Sequence, residues 1–309
     1  MQNNKTILRL VTSTNCNLSC IYCHKEGNIL NKDQSSDYSF KEMQSWLELI
    51  KTVGINSVVI TGGEPLLVPN IKNLLSFIKK YFKSIHLSTN GTLLNEQVIA
   101  FLKMYNIERL NISLDSVSNK KIIDITKFDL LNDILYSAKK AYEAGIKINF
   151  NMVILPNIND SPNEILEYIK LVKPFAEKIS LIRPHASLNP IATVYSQEFD
   201  LKKFLMLLGK LAEKKYKKKY SGSMEQNIYI IDNFPVSMYV TPKFSSLYCK
   251  NCTQKNICTE GIVSPRLDLN GILRLCLLRP NVNIDLKKIV LLPVKDKLKE
   301  IKSFLEVYN

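Results

Sequence analysis

Six short apolar runs rich in β-branched residues punctuate the first part of the chain, at residues 8–11, 58–60, 85–87, 110–114, 146–154 and 179–182. Runs this short and this branched read as strands. Longer segments of helical periodicity separate them, at 40–53, 71–82, 95–105, 130–144 and 162–175. Parallel neighbours need a crossover, and a helix supplies it, so the alternation restricts the chain to an α/β fold with a parallel sheet. Gly145 reads as a cap closing the fourth helix, and Ser161-Pro162 as the start of the fifth. A hydrophobic fraction of 46% over 309 residues is ample for a buried core and excludes a disordered chain.

All seven cysteines fall in two groups. Cys16, Cys20 and Cys23 lie within eight residues of one another, Cys16 to Cys23. Three thiolates so spaced can hold an iron–sulfur cube and leave one iron open, whereas structural zinc takes four ligands. Two other readings of the spacing remain: zinc with His24 as fourth ligand, or a redox thiol pair, Cys20 and Cys23.

Further motifs follow the strands in order. Thr61-Gly62-Gly63-Glu64-Pro65 comes after the second, Ser88-Thr89-Asn90-Gly91 after the third, and Asn111-Ile112-Ser113-Leu114-Asp115-Ser116 ends the fourth. In parallel α/β folds ligands collect at the carboxyl ends of strands, and glycines there let backbone approach closely. Glu64, Ser113 and Asp115 could equally serve as caps or hydrogen-bond partners at strand ends.

This ordered set, with Tyr22 before the third cysteine, resembles the radical S-adenosylmethionine (SAM) superfamily. The resemblance implies a partial (β/α)6 TIM-type barrel over residues 1–190. It also implies a 4Fe-4S cluster on Cys16, Cys20 and Cys23 whose free iron chelates SAM, making the chain an enzyme. Gly62, Gly63 and Glu64 would position the SAM amino group, Ser113 and the Thr89-Asn90 corner its carboxylate or ribose, and Tyr22 would lie near the adenine. One electron would cleave the sulfonium to methionine and a 5′-deoxyadenosyl radical, the cofactor carrying the chemistry and the protein the orientation. A one-electron reductant such as flavodoxin or ferredoxin is implied as a partner.

Residues 191–309 read as a second part, a C-terminal helix and a small cluster-binding domain. Residues 201–220 read as one basic helix, with Lys214, Lys215, Lys217, Lys218 and Lys219 as a solvated face. Cys249, Cys252, Cys258 and Cys276 could bind zinc or a second cluster. Between the last two, residues 266–275 read as a hairpin around Asn270-Gly271. The stretch resembles the C-terminal cluster region of the molybdenum-cofactor GTP 3′,8-cyclases and, more loosely, twitch and SPASM auxiliary domains. It implies a second 4Fe-4S cluster, for electron transfer or for holding substrate.

The likeness to the GTP cyclases extends along most of the chain, including Cys23-His24-Lys25-Glu26-Gly27, Asn151-Met152-Val153-Ile154 and Asn159-Asp160. Several of their basic positions differ. Val59 stands for an arginine, Asn149 for a lysine, Ser264-Pro265-Arg266 retains one arginine of a pair, and the chain ends without Gly-Gly. Arg9 and Arg266 match. A triphosphate wants several charge-assisted contacts, each about 1.5–3 kcal/mol, so the losses disfavour GTP. The favoured expectation is a radical SAM enzyme abstracting hydrogen from a peptide or small polar metabolite, with Arg9, Arg183 and Arg266 as substrate contacts. GTP cyclisation is the first alternative, and a non-catalytic iron–sulfur or zinc protein the second.

A formal net charge of +14 suits acidic partners, but no nucleic-acid module is visible. No signal peptide or membrane span is visible, and metal-holding thiols fit a reducing interior, so a cytoplasmic location is expected.

Overall fold

The computed structural model describes residues 6–23, 39–185, 190–219, 225–241, 247–253, 255, 258, 264–276, 278–279 and 281–306. His24, the residues 25–27 of the cyclase-like segment and Tyr220 lie outside them.

The chain opens with β1 (Ile7–Val11), α1 (Phe40–Thr52), β2 (Ser57–Thr61), α2 (Ile71–Ile78), β3 (Ser84–Thr89) and α3 (Glu96–Met104). Next come β4 (Ile107–Ser113), α4 (Asn119–Thr126), α5 (Leu131–Glu143), β5 (Lys147–Val153), α6 (Pro162–Val172) and β6 (Lys178–Ile182). The six strands are parallel and adjacent in chain order. Helix starts follow local chemistry: Ser39, Asn95 and Ser161 each accept a backbone N–H of the first turn, and Pro162 occupies the first turn of α6. Gly145, at φ +87°, takes the left-handed turn that ends α5.

Beyond β6 lie α7 (Pro190–Glu198), α8 (Leu201–Leu211), β7 (Lys214–Lys219), β8 (Glu225–Ile231) and β9 (Phe234–Thr241). The chain continues through α9 (Leu247–Lys250), β10 (Arg266–Asp268), β11 (Ile272–Arg274), β12 (Asn283–Asp285), α10 (Leu286–Ile289) and α11 (Val294–Leu305). The expected single basic helix over 201–220 is corrected: helix stops at Leu211 and the lysine run forms β7, antiparallel to β8 at the sheet's end. Pairing with β8 overrides the run's local preference, and lysines are what an edge strand tolerates best.

All strands form one curled half-barrel sheet, ordered β12-β11-β10-β1-β2-β3-β4-β5-β6-β9-β8-β7. Residues 191–309 therefore feed both edges: β9 joins β6, and β10 joins β1, each in parallel. The hairpin around Asn270-Gly271 forms as the sequence implies, with Gly271 at φ +80° packed against the Trp46 ring of α1.

Alternation along the strands divides the sheet's two faces. Leu8, Leu10, Val58, Ile60, Leu87, Leu110, Ile112, Ile148 and Phe150 are fully buried, and Phe150 meets Tyr168 of α6 edge-on at 6.3 Å. That face carries the helices and the main core. The opposite face, towards the hollow of the half-barrel, carries Arg9, Val59, Asn111, Ser113, Asn149 and Asn151 by the same alternation.

Candidate active site

The segment after β1 crosses the carboxyl ends of neighbouring strands and is bonded to the ends of β2, β3 and β4. Thr12 N donates to Thr61 O at 2.9 Å, Gly63 N to Ser13 O at 2.7 Å, and Glu64 N to Asn15 O at 2.7 Å. The glycine pair makes this approach possible. A Cβ on Gly63 would meet the Asn15 carbonyl carbon at 2.6 Å, and one on Gly62, at φ +145°, would meet Ser13 N at 2.9 Å. The close approach expected of Gly62 and Gly63 is thus made in the first instance by the chain's own cysteine loop.

Further along, Asn17 Nδ2 donates to Thr92 Oγ1 and Asn90 Nδ2 to Asn17 Oδ1, both at 2.8 Å. Asn90 Nδ2 also approaches Cys16 Sγ at 3.7 Å, and Leu18 N reaches the same sulfur at 3.4 Å. Donors aimed at a sulfur suit a thiolate ligand of a cluster. Cys23 N donates to Cys20 O at 3.0 Å, closing a turn, and Ile21 N donates to Ile125 O at the end of α4.

Tyr22 OH donates to Asp115 Oδ2 at 2.6 Å, while Asp115 Oδ1 accepts Val153 N at 2.8 Å. Asn159 Nδ2 in turn donates to the Asp115 carbonyl at 2.7 Å. Burial pushes the Asp115 carboxyl up to about 6 against these hydrogen bonds. Tyr22 therefore anchors the cysteine turn to the ends of β4 and β5 through its hydroxyl. Burial, then the neighbouring Asp115, Cys23 and Cys16, push the Cys20 thiol up to about 12. A metal centre binding these three thiols would have to displace their protons.

Glu64 is fully buried, and both carboxylate oxygens accept hydrogen bonds: Oε1 from Thr89 Oγ1 and Leu66 N, and Oε2 from Asn90 N at 2.7 Å. Burial raises its pKa, opposed by those bonds. Glu64 thus fastens the end of β2 to the Thr89-Asn90 corner. Ser113, at the end of β4, makes no side-chain hydrogen bond among the described residues.

Arg9 and Arg266 stand directly opposite each other on β1 and β10, and Arg274 opposes Arg266 on β11. Arg274 pairs with buried Asp268 at 2.6 Å, an ion pair within the hairpin. Arg183 follows β6. Burial lowers its pKa, and Cys258 opposes the shift, which puts the guanidinium within electrostatic reach of that thiol. Cys249 and Cys252 share one turn, with Cys252 N donating to Cys249 O at 3.3 Å. Arg279, past β11, donates to Tyr248 O and so ties α9 to the segment carrying Cys276. None of the seven cysteines is joined in a disulfide. Among the described residues, no three Cys, His, Asp or Glu side chains are drawn together into a ready metal cage.

A model of the radical SAM superfamily matches residues 10–169, just over half of the chain. The chain belongs to the radical SAM superfamily. It is accordingly an enzyme of SAM and iron–sulfur chemistry. Among its relatives, a probable GTP 3′,8-cyclase of Pyrococcus horikoshii is 30% identical, covering 91% of this chain and 86% of that one. A GTP 3′,8-cyclase of Desulforamulus reducens is 29% identical over 85% and 82%. In fold, the radical SAM chain superposes on Streptococcus suis SuiB bound to SAM with a TM-score of 0.67 at 18% identity, covering 89% of this chain and 61% of SuiB. A second structure, anSMEcpe with bound SAM, gives 0.58 at 17% identity, over 87% and 74%. The chain thus spans less than two thirds of SuiB. Among the described residues no helix is long and apolar enough to cross a membrane.

Proposed function

We propose that the enzyme holds a 4Fe-4S cluster on Cys16, Cys20 and Cys23, cleaves SAM there, and abstracts hydrogen from a peptide or small polar metabolite. The observation that carries this reading is the strap of Ser13 and Asn15 on Gly63 and Glu64, which unites the cysteine loop with the strand-end motifs. When bound, the cluster supplies one electron to the sulfonium, giving methionine and a 5′-deoxyadenosyl radical.

The chain's own residues fix where this happens. Gly62 and Gly63 admit the loop, and Glu64 holds the Thr89-Asn90 corner in place. Tyr22 pins the Cys20–Cys23 turn through Asp115, and Ser113 offers a free hydroxyl beside it on β4. Together these are our assignment for the cofactor contacts. Arg9, Arg183 and Arg266 face or flank the hollow and are assigned to substrate, Arg183 towards the second cysteine group. Cys249, Cys252, Cys258 and Cys276 are assigned to a second cluster, zinc being the alternative metal. On this reading residues 1–190 are the catalytic part and 191–309 the auxiliary part. A flavodoxin or ferredoxin is the expected reductant, steered by the net charge of +14, in the cytoplasm. SuiB, whose fold is similar, has been seen with a precursor peptide, which supports the peptide arm.

The second reading, GTP 3′,8-cyclisation, is favoured by the named relatives and by the facing Arg9 and Arg266. It is weakened by Val59 and Asn149. Anaerobic reconstitution followed by dithionite and SAM tests the first reading: 5′-deoxyadenosine is expected, and its absence with an intact cluster overturns it. Consumption of added GTP would establish the second. Iron counts on a Cys16/Cys20/Cys23→Ala variant decide the auxiliary metal, about four irons remaining if it is a second cube.

A further inference from the structure

Asn149 is 3% exposed and lies between Ile148 and Phe150, both fully buried. Since Phe150 packs on α6, alternation sends Asn149 to the hollow of the half-barrel. The register sets it beside Asn111 on β4 and Lys178 on β6, with Ser88 beside Asn111. One row further up, Ser113, Asn151 and Ser180 are neighbours. Asn149 Nδ2 donates to Asn111 Oδ1 at 3.4 Å, which leaves Asn149 Oδ1 buried without a hydrogen-bond donor among the described residues.

Buried carboxamide oxygens in native structures find a donor. In the orientation shown, a phosphate dianion or a carboxylate has no proton to give this acceptor, whereas an N–H or an O–H has. Rotating both carboxamides by a half-turn would exchange donor and acceptor at the open position, and an amide, which carries both, completes either arrangement. Lys178 is the one charged member of its row.

We infer that Asn149, held by Asn111, is a specificity-determining residue that hydrogen-bonds an uncharged amide group of the substrate. The inference rests on the proposed function for its placement at a substrate site, and it narrows the substrate to a peptide or an amide-bearing metabolite. Asn111 acts as the positioning residue. Asn149 is the contact.

The test is a titration of the anaerobically reconstituted full chain, labelled with 15N-asparagine, following side-chain amide resonances. The Asn149 signal is assigned by its absence from Asn149→Asp. Four probes are compared: N-acetylalanine N-methylamide, acetamide, glycerol and tripolyphosphate. The amide probe is expected to shift Asn149 and Asn111 saturably, and Asn149→Leu to weaken its binding at least about tenfold, as loss of one buried hydrogen bond implies. Acetamide acting as well as the longer probe would indicate a small amide; a preference for the longer one indicates a peptide. Shifts at these residues by glycerol or tripolyphosphate but not by the amide, or by no probe, overturn the inference. The titration needs neither SAM nor reductant. Its failure while 5′-deoxyadenosine still forms removes this inference alone.

Discussion

Gly63→Ala isolates the contact on which the site's assembly depends. The added Cβ would lie 2.6 Å from the Asn15 carbonyl carbon and 3.0 Å from Thr14 O, all backbone atoms that no rotamer change can move. The loop must retreat by roughly an ångström to reach ordinary contact, which breaks the 2.7 Å bonds Gly63 N to Ser13 O and Glu64 N to Asn15 O. Two backbone bonds at about 1 kcal/mol each, with about 1–3 kcal/mol of overpacking, give about 3–5 kcal/mol if the loop resists. If it releases, water replaces the bonds and the cost to global stability falls, but residues 12–23 lose their protection. Hydrogen exchange over that segment, iron content after reconstitution and SAM binding report the outcome together. We expect faster exchange confined to the segment and loss of most of the iron. Wild-type exchange with wild-type iron would refute the strap as the organising contact.

Gly209→Ala is the matching control: a Cβ there meets nothing within 4 Å inside α8, so urea unfolding should show a gain of about 0.5–1 kcal/mol with unchanged iron. Glu64→Gln sets an amide N–H2 against donors that now share a carboxylate, and should cost about 1–3 kcal/mol in the same assay; a neutral result would mean that Glu64 does not fasten β2 to β3. Lys178 is held down to about 8, chiefly by burial and then by Arg109 and Lys218. Since the unfolded lysine stays protonated to about 10.4, Lys178→Met should be the more stable protein near pH 7, and its advantage should shrink as pH rises from about 8 towards 10.4, by about 1 kcal/mol at pH 9.5 after allowance for partial exposure. Unfolding curves of both proteins at the two pH values check this, and a constant difference would refute it.

The parallel core was legible because its strands are short, β-branched and separated by capped helices, a pattern that buries one face without reference to distant residues. The cysteine loop and the Gly62-Gly63-Glu64 segment were legible as chemistry, yet not as partners: nothing in their spacing says that Ser13 and Asn15 close on the glycines. The lysine run at 214–219 misled because helix and edge strand accept the same residues, and only pairing with residues 225–230 decides between them. The Asn111–Asn149 pair was hidden for a related reason, since it acquires meaning from a register between strands far apart in the chain. Asp115 was visible as a strand-end acid; its bond to Tyr22, 93 positions earlier, was not.

β1, which leads into the cysteine loop, has β2 on one side and β10 on the other, and β10 is made of residues 266–268. On the ribosome, the strand that leads into the cysteine loop must wait for some 250 further residues before its second edge is covered. Until then an open strand edge and three cysteines are displayed side by side. A truncation before residue 264 would make that nascent condition permanent, leaving a template for self-association beside the cysteine loop.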